Sequence, residues 1–146
     1  MLGSASCDFC AIARGEDAAA EVVCDGDGWV AFFPHEPATP GHTLVIPRDH
    51  VEDLWAASPA AARELMEAAI KVGRAIQAAL EPDGLNLITS AGAAAEQTVR
   101  HLHLHVVPRW EDDGFGRIWP PQKPMRRELK RDVAAQIRAA CEAARP

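Results

Sequence analysis

The stretch Gln97-Thr98-Val99-Arg100-His101-Leu102-His103-Leu104-His105-Val106-Val107-Pro108 decides the reading of this chain. Three histidines alternate with aliphatic residues. Successive side chains of a β-strand point to opposite faces. The alternation therefore predicts a strand over 99–107, with His101, His103 and His105 on one face and Leu102, Leu104 and Val106 turned into a core. A fold has little structural reason to set three imidazoles side by side, whereas histidine serves near neutral pH as ligand, base or nucleophile. At a rise of roughly 3.3 Å per residue, the Cα atoms of His101 and His105 lie about 13 Å apart, near the limit of bridging through one ion, and adjacent members about 6.6 Å apart. The row is thus expected to divide its labour instead of forming a single three-histidine metal centre.

Working outward, the neighbouring segments read as short strands and two longer helices. Glu21–Cys24 and Trp29–Phe33 flank Asp25-Gly26-Asp27-Gly28, which is turn chemistry, so a hairpin is expected. Thr43–Pro47 has the unbroken Leu-Val-Ile content of a buried strand. Ser58-Pro59 is a helix start, with serine at the cap and proline at the first helical position. The helix runs to about Leu80, with Leu65, Ala69, Val72, Ile76 and Ala79 along one face. Leu85–Thr89 reads as a strand and 90–96 as a small-residue loop. Residues 8–13 form one helical turn, 111–125 a Gly- and Pro-rich loop, and 128–144 a final helix. Sequential strands with one long and one terminal helix give an α+β domain. The division expected is 1–110 for the main domain, with 111–146 as a loop and helix completing the same single domain.

Composition sets the bounds. A chain of 146 residues, 48% of them apolar, suits one domain with its own core. No apolar run approaches a membrane span, and Met1-Leu2-Gly3-Ser4 lacks the charged-then-apolar pattern of a signal peptide, so a cytoplasmic location and no membrane partner are expected. A formal charge of −6 argues against binding a nucleic-acid polymer but not against one nucleotide in a small pocket. Of the four cysteines, Cys24 and Cys141 read as apolar fillers, and a disulfide scaffold does not suit a cytosolic domain. Trp29, Trp55, Trp110 and Trp119 read as core or interface aromatics.

The histidine run resembles the signature of the histidine triad (HIT) family, in which three histidines alternate with apolar residues. The resemblance extends to Pro40-Gly41-His42-Thr43-Leu44-Val45-Ile46-Pro47-Arg48-Asp49-His50, similar to the family's central strand and turn. It also takes in Cys7-Asp8-Phe9-Cys10-Ala11-Ile12 with Gly15-Glu16, similar to its N-terminus. Together these span about residues 7–110. The resemblance implies a five-stranded antiparallel sheet with one long helix and a C-terminal helix, and a homodimer whose two sheets join edge to edge.

It also implies a chemistry. An imidazole attacks phosphorus well when its second nitrogen is held by a hydrogen-bond acceptor. The resemblance places that nucleophile at His103, forming a nucleotidyl-histidine. His105 would contact the phosphate and leaving group, and His42 would support the site from behind. The family's phosphate loop matches residues 96–99, where Thr98, Gln97 and small-residue amides would meet the phosphate as an anion nest. Three departures bear on the substrate. Glu96 stands where the family often has Gly, Ser90 where it often has Asn or Gln, and Pro34 where an Asp or Asn usually holds the ribose. The stretch Gly116-Arg117-Ile118-Trp119-Pro120-Pro121 resembles a Trp-Pro segment that lines the neighbouring subunit's site in some HIT hydrolases.

A two-residue spacer lets the thiolates of Cys7 and Cys10 reach one ion, with reduced buried cysteines as the plainer alternative. Many bacterial HIT proteins complete such a pair with two histidines, and the matching residues are His50 and His101. Four protein ligands would make a structural zinc site. Activity follows as an expectation: a phosphoramidase or hydrolase cleaving the α-phosphate bond of a purine nucleotide conjugate. Dinucleoside polyphosphate hydrolysis or phosphorolysis, or a zinc-stabilised nucleotide-binding module of low turnover, stand as alternatives.

Overall fold

The computed structural model describes residues 7–145. The stretch Met1–Ser4, read above for a signal segment, lies outside the described residues. The chain divides into two compact units, Met1–Phe115 and Gly116–Pro146.

The first unit holds helix α1 (Asp8–Ala13), strands β1 (Val22–Asp25), β2 (Trp29–Phe32) and β3 (Thr43–Pro47), helix α2 (Pro59–Leu80), and strands β4 (Gly84–Ile88) and β5 (Leu104–Arg109). One five-stranded sheet runs β1-β2-β3-β5-β4, antiparallel throughout. The α+β class and the five antiparallel strands expected from the sequence are thus present. Strand β3 is central and buried along its whole length because both faces of the sheet are covered, which is why it reads as an unbroken apolar run. Val45 joins Leu104, Val106 and the α2 residues Leu65, Ala69 and Val72 in one cluster. Its neighbours Leu44 and Ile46 join Ile12, Val30 and Phe32 in a second cluster, which holds α1.

Helix α2 begins as its sequence dictates. The Ser58 hydroxyl accepts the Ala61 N–H at 3.1 Å, and Pro59 occupies the first turn, where its missing N–H costs nothing. Glu81 ends the helix in the left-handed conformation, φ 47°. Ala79, placed on the apolar face by the helical spacing, is exposed in this last turn.

The histidine strand is shorter than its alternation predicts. Leu102, Leu104 and Val106 are buried together as expected, but β5 starts only at Leu104, and His101 and His103 precede it. Their backbone groups find partners outside the ladder. Leu102 N–H donates to the Val51 carbonyl at 2.7 Å, the Thr89 hydroxyl donates to the His103 carbonyl at 2.9 Å, and the His103 ring engages the His101 carbonyl. With those groups satisfied, no neighbouring strand is needed there.

Gly41 shapes the entry to β3. Its φ of +90° favours glycine, and a Cβ there would run into Leu80 and Pro108. Of the tryptophans read as core or interface aromatics, Trp55 and Trp119 are not in the core, at 81% and 77% exposed; Trp55 stands in a turn whose N–H groups are tied to Asp53. Cys141, read as an apolar filler, is exposed.

The second unit carries helix α3 (Arg127–Ala143), none of whose residues is buried. Leu129, Val133 and Ile137 recur every fourth residue on one face and are exposed. No helix among the described residues is long and apolar enough to cross a membrane.

Candidate functional site

The face of the sheet that carries α1 also carries the chemistry. Cys7 caps α1 and Cys10 lies one turn into it, which aims both sulfurs at the residues before β5. The Sγ atoms of Cys7 and Cys10 each lie 3.5 Å from Nδ1 of His101, and Cys10 Sγ lies 3.3 Å from Nδ1 of His50. All four ligand atoms fall within 4.8 Å of one another. A tetrahedral ion with S and N bonds of roughly 2.3 and 2.05 Å has S···N edges of about 3.6 Å, so the spacing fits a shared ion. His101 is wholly buried and its Nε2 lies 2.9 Å from the Pro47 carbonyl. Donation to that carbonyl leaves the Nδ1 lone pair facing the sulfurs, the arrangement of a metal-binding histidine. Burial, and then hydrogen bonding with Cys7, push the Cys10 thiol up. A cation at the centre would reverse that shift.

His103 and His105 stand next in the row, their ring centroids 4.8 Å apart. Nδ1 of His103 lies 2.7 Å from the His101 carbonyl oxygen. A carbonyl only accepts, so Nδ1 carries the proton and Nε2 keeps a lone pair. Phe9 stands edge-on to this ring at 5.4 Å and 88°. His105 is bonded to His42, with His42 Nε2 and His105 Nδ1 2.9 Å apart. On its far side His42 Nδ1 accepts the Ala38 main-chain N–H at 3.0 Å. Burial lowers the pKa of His42. It lowers that of His105 to about 4, with smaller contributions from His103 and His42.

His103 and His105 open onto a cavity of about 460 Å³, whose walls include Phe9, Ile12, Phe32, Leu44, Pro34, His35, Thr98 and Val99. Its apolar walls come from the α1 side of the core, and its rim includes Asp8, Asp17 and Glu21; no Lys or Arg is among its described lining residues. Of the phosphate-loop residues read from the sequence, Thr98 lines the cavity. Ser90, Glu96 and Gln97 do not. Glu96 is exposed at φ +64°, the left-handed region that explains a glycine preference there. Gln97 is buried with its amide committed, accepting Gly92 N–H and donating to the Glu52 carbonyl, each at 2.8 Å. It pins the loop, and loop-pinning glutamines leave no signal in one sequence. Phe9 and the backbone of Ala38 escaped the sequence reading for related reasons: the first resembles a core residue, and the second acts through an atom every residue has.

Comparison with known proteins agrees with this geometry. Residues 16–112 match the HIT domain family. The chain is 39% identical to the Protein hit of Bacillus subtilis (strain 168) over 115 residues, covering 78% of this chain and 79% of that one. It is 32% identical to the adenylylsulfatase HINT3 of Arabidopsis thaliana over 135 residues, covering 92% and 66%. Among solved structures it superposes with a TM-score of 0.72 on a Zn-bound histidine triad family protein from Mycobacterium smegmatis, 37% identical and covering 94% and 99%. With the triad, its buried supports and the sheet that carries them all in place, this chain belongs to the HIT domain family.

Proposed function

We propose that the protein is a nucleotidyl hydrolase or transferase, cleaving the α-phosphate bond of a purine nucleotide conjugate through a nucleotidyl-histidine on His103. The observation that carries this is the 2.7 Å bond from His103 Nδ1 to the His101 carbonyl, which directs an unprotonated Nε2 at the cavity. In the first step Nε2 bonds to the α-phosphorus and the bond to the leaving group breaks, its electron pair going with that group. The positive charge on the ring is met at Nδ1–H by the carbonyl. In the second step a water oxygen bonds to phosphorus and the N–P pair returns to Nε2. The water proton goes to solvent, and a nucleoside monophosphate is released.

In this reading His105 donates to the α-phosphate or leaving group and His42 holds His105. Thr98 supplies phosphate contacts, with Ser90, Gln97 and Glu96 completing the loop behind it. The apolar walls at Phe9, Ile12 and Leu44 suit a purine base. A rim of carboxylates without Lys or Arg suits a small conjugate better than a polyphosphate tail. An adenylylated amine, as the sequence suggests, and a mixed anhydride, as the Arabidopsis relative's name reports for that protein, both meet that limit.

We assign the cluster of Cys7, Cys10, His50 and His101 to zinc. With four protein ligands the ion would supply charge and rigidity and no open position. Its thiolates suit the reducing cytoplasm. The homodimer is supported by the edge position of β4, where Leu87 is exposed and lines a groove with the exposed Ile70.

One observation favours a second reading. Pro34 is in the cavity wall and cannot hold ribose hydroxyls, which suits a nucleotide-binding module of low turnover. Intact mass spectrometry after rapid mixing with an adenosine phosphoramidate and with adenylyl sulfate separates the two. The expected result is a nucleotidyl adduct on the wild type and none on His103→Ala. Equal nucleotide affinity in both proteins, with no adduct in either, would establish the binding module.

A further inference from the structure

Helix α1 is six residues long, too short to hold itself in water. Yet Cys7 at its cap, Cys10 and Phe9, the ring that stands edge-on to His103, all move with it. Its place therefore has to be set from outside. Ile12 and Ala13 pack into the apolar cluster of Val30, Phe32, Leu44 and Ile46. Apolar contact is non-directional and leaves a short helix able to slide or turn on the sheet. Direction comes from the C-terminal end, where the last carbonyls of a helix lack partners within it. Those of Cys10, Ala11 and Ile12 accept the N–H groups of Arg14, Glu16 and Gly15, from the chain that follows directly. The Ala13 carbonyl is met from far along the chain, by Arg48 Nη1 at 2.5 Å.

The same guanidinium reaches two further acceptors. Its Nε donates to the Gly26 carbonyl at 3.0 Å and its Nη2 to the Asp25 carboxylate at 2.9 Å. The Arg48 main-chain N–H donates to the Gly28 carbonyl at 2.9 Å. One planar fork thus joins the end of α1 to the turn between β1 and β2. That turn is a firm anchor, because a Cβ on Gly26 would run into the buried ring of Trp29. Arg48 also stands in the segment that serves the other two ligands: the Pro47 carbonyl accepts from His101, and His50 is itself in the cluster.

We propose that Arg48 is the positioning residue of the metal cluster: its guanidinium locks the end of α1 to the β1–β2 turn, and so sets Cys7 and Cys10 against His50 and His101. The proposal rests on the zinc assignment made above. The acceptors of the guanidinium are two carbonyls and Asp25, none of them a ligand of the cluster, so Arg48 acts only through α1. Charge alone does not suffice. Arginine presents its N–H groups in a rigid plane, whereas lysine presents a compact ammonium on a flexible stem. Arg48→Lys keeps the positive charge but cannot span Ala13, Gly26 and Asp25 together.

Zinc affinity of the full-length protein, measured by competition with a chromophoric chelator, tests this in the wild type, Arg48→Lys, Arg48→Met and Val72→Ala. Val72 is buried against α2, on the sheet face away from α1, so Val72→Ala reports what a general loss of stability does to the affinity. The zinc dissociation constant should rise about 10- to 100-fold in both Arg48 variants, the range found for groups that orient metal ligands. That rise should exceed the one in Val72→Ala for the same loss of Tm. Cobalt(II) supplied in place of zinc gives a second readout. At saturation the thiolate-to-cobalt absorption of the Arg48 variants should be shifted or weakened, while Val72→Ala keeps the wild-type spectrum. Wild-type affinity and spectrum in Arg48→Lys would show that charge suffices and overturn the proposal. So would unchanged spectra in both Arg48 variants with affinities that fall no further than that of Val72→Ala. A wild type that binds neither zinc nor cobalt would sink the zinc assignment itself, and the clamp with it.

Discussion

The Nε2 of His101 lies 2.9 Å from the carbonyl oxygen of Pro47, and that bond turns the other nitrogen toward Cys7 and Cys10. A histidine so held is a ligand whose tautomer is chosen before any ion arrives. The zinc assignment proposed above predicts that this cluster holds its ion tightly. Cys10→Ser should lose zinc by elemental analysis and melt well below the wild type, since zinc ligation contributes roughly 10–16 kcal/mol in small zinc domains. A Cys10→Ser protein with full zinc content and an unchanged Tm would refute the assignment.

Acid should destabilise the fold through His105. Its folded-state pKa, about 4, lies below its unfolded value of about 6.5. Between those values the unfolded chain binds more protons, so stability rises with pH across the window and is lost as pH falls through it. His42 is shifted in the same direction. Metal ligands also protonate on acidification, so the informative quantity is a difference. Between pH 7 and pH 4.5 the wild type should lose more Tm than His105→Gln does. Parallel curves would mean that His105 does not titrate as its burial implies.

Gln97 ties Gly92 to Glu52 across the loop. Gln97→Ala would leave a donor and an acceptor without partners in a partly buried site, costing about 2 kcal/mol, measurable as a drop in the denaturant midpoint. Because the loop carries Thr98 into the cavity, KM for a nucleotide conjugate should rise while the nucleotidyl adduct still forms. A change confined to kcat would place Gln97 on the substrate instead of behind it.

Glu96 holds φ +64°, which costs a residue with a side chain about 1 kcal/mol relative to glycine. Glu96→Gly should therefore stabilise the protein by up to about that amount in chemical denaturation. A net loss would indicate that the Glu96 side chain makes a contact of greater value than its backbone strain.

The histidine row made most of the site legible. Its period of two placed Leu102, Leu104 and Val106 in the core, and its length separated His101 from His105. The four residues of the cluster could be named from spacing and resemblance because cysteine and histidine at those places have little other use. The row's true backbone was not legible. Whether His103 lies inside a ladder depends on Thr89 and Val51, residues that look ordinary in sequence. Gln97 shows the same limit: a polar residue beside a phosphate loop reads as a ligand, and only its two committed partners reveal a pin. Ala38 is the extreme case, since its contribution is an amide hydrogen.

Cys7 and His101 are separated by 94 positions along the chain. Joining them through an ion closes most of the first unit into one covalent-like ring. Closing so long a loop removes freedom chiefly from the denatured ensemble, as a disulfide does. Ion release and loss of the sheet should then be one cooperative event, with no long-lived species that keeps the fold after giving up the ion.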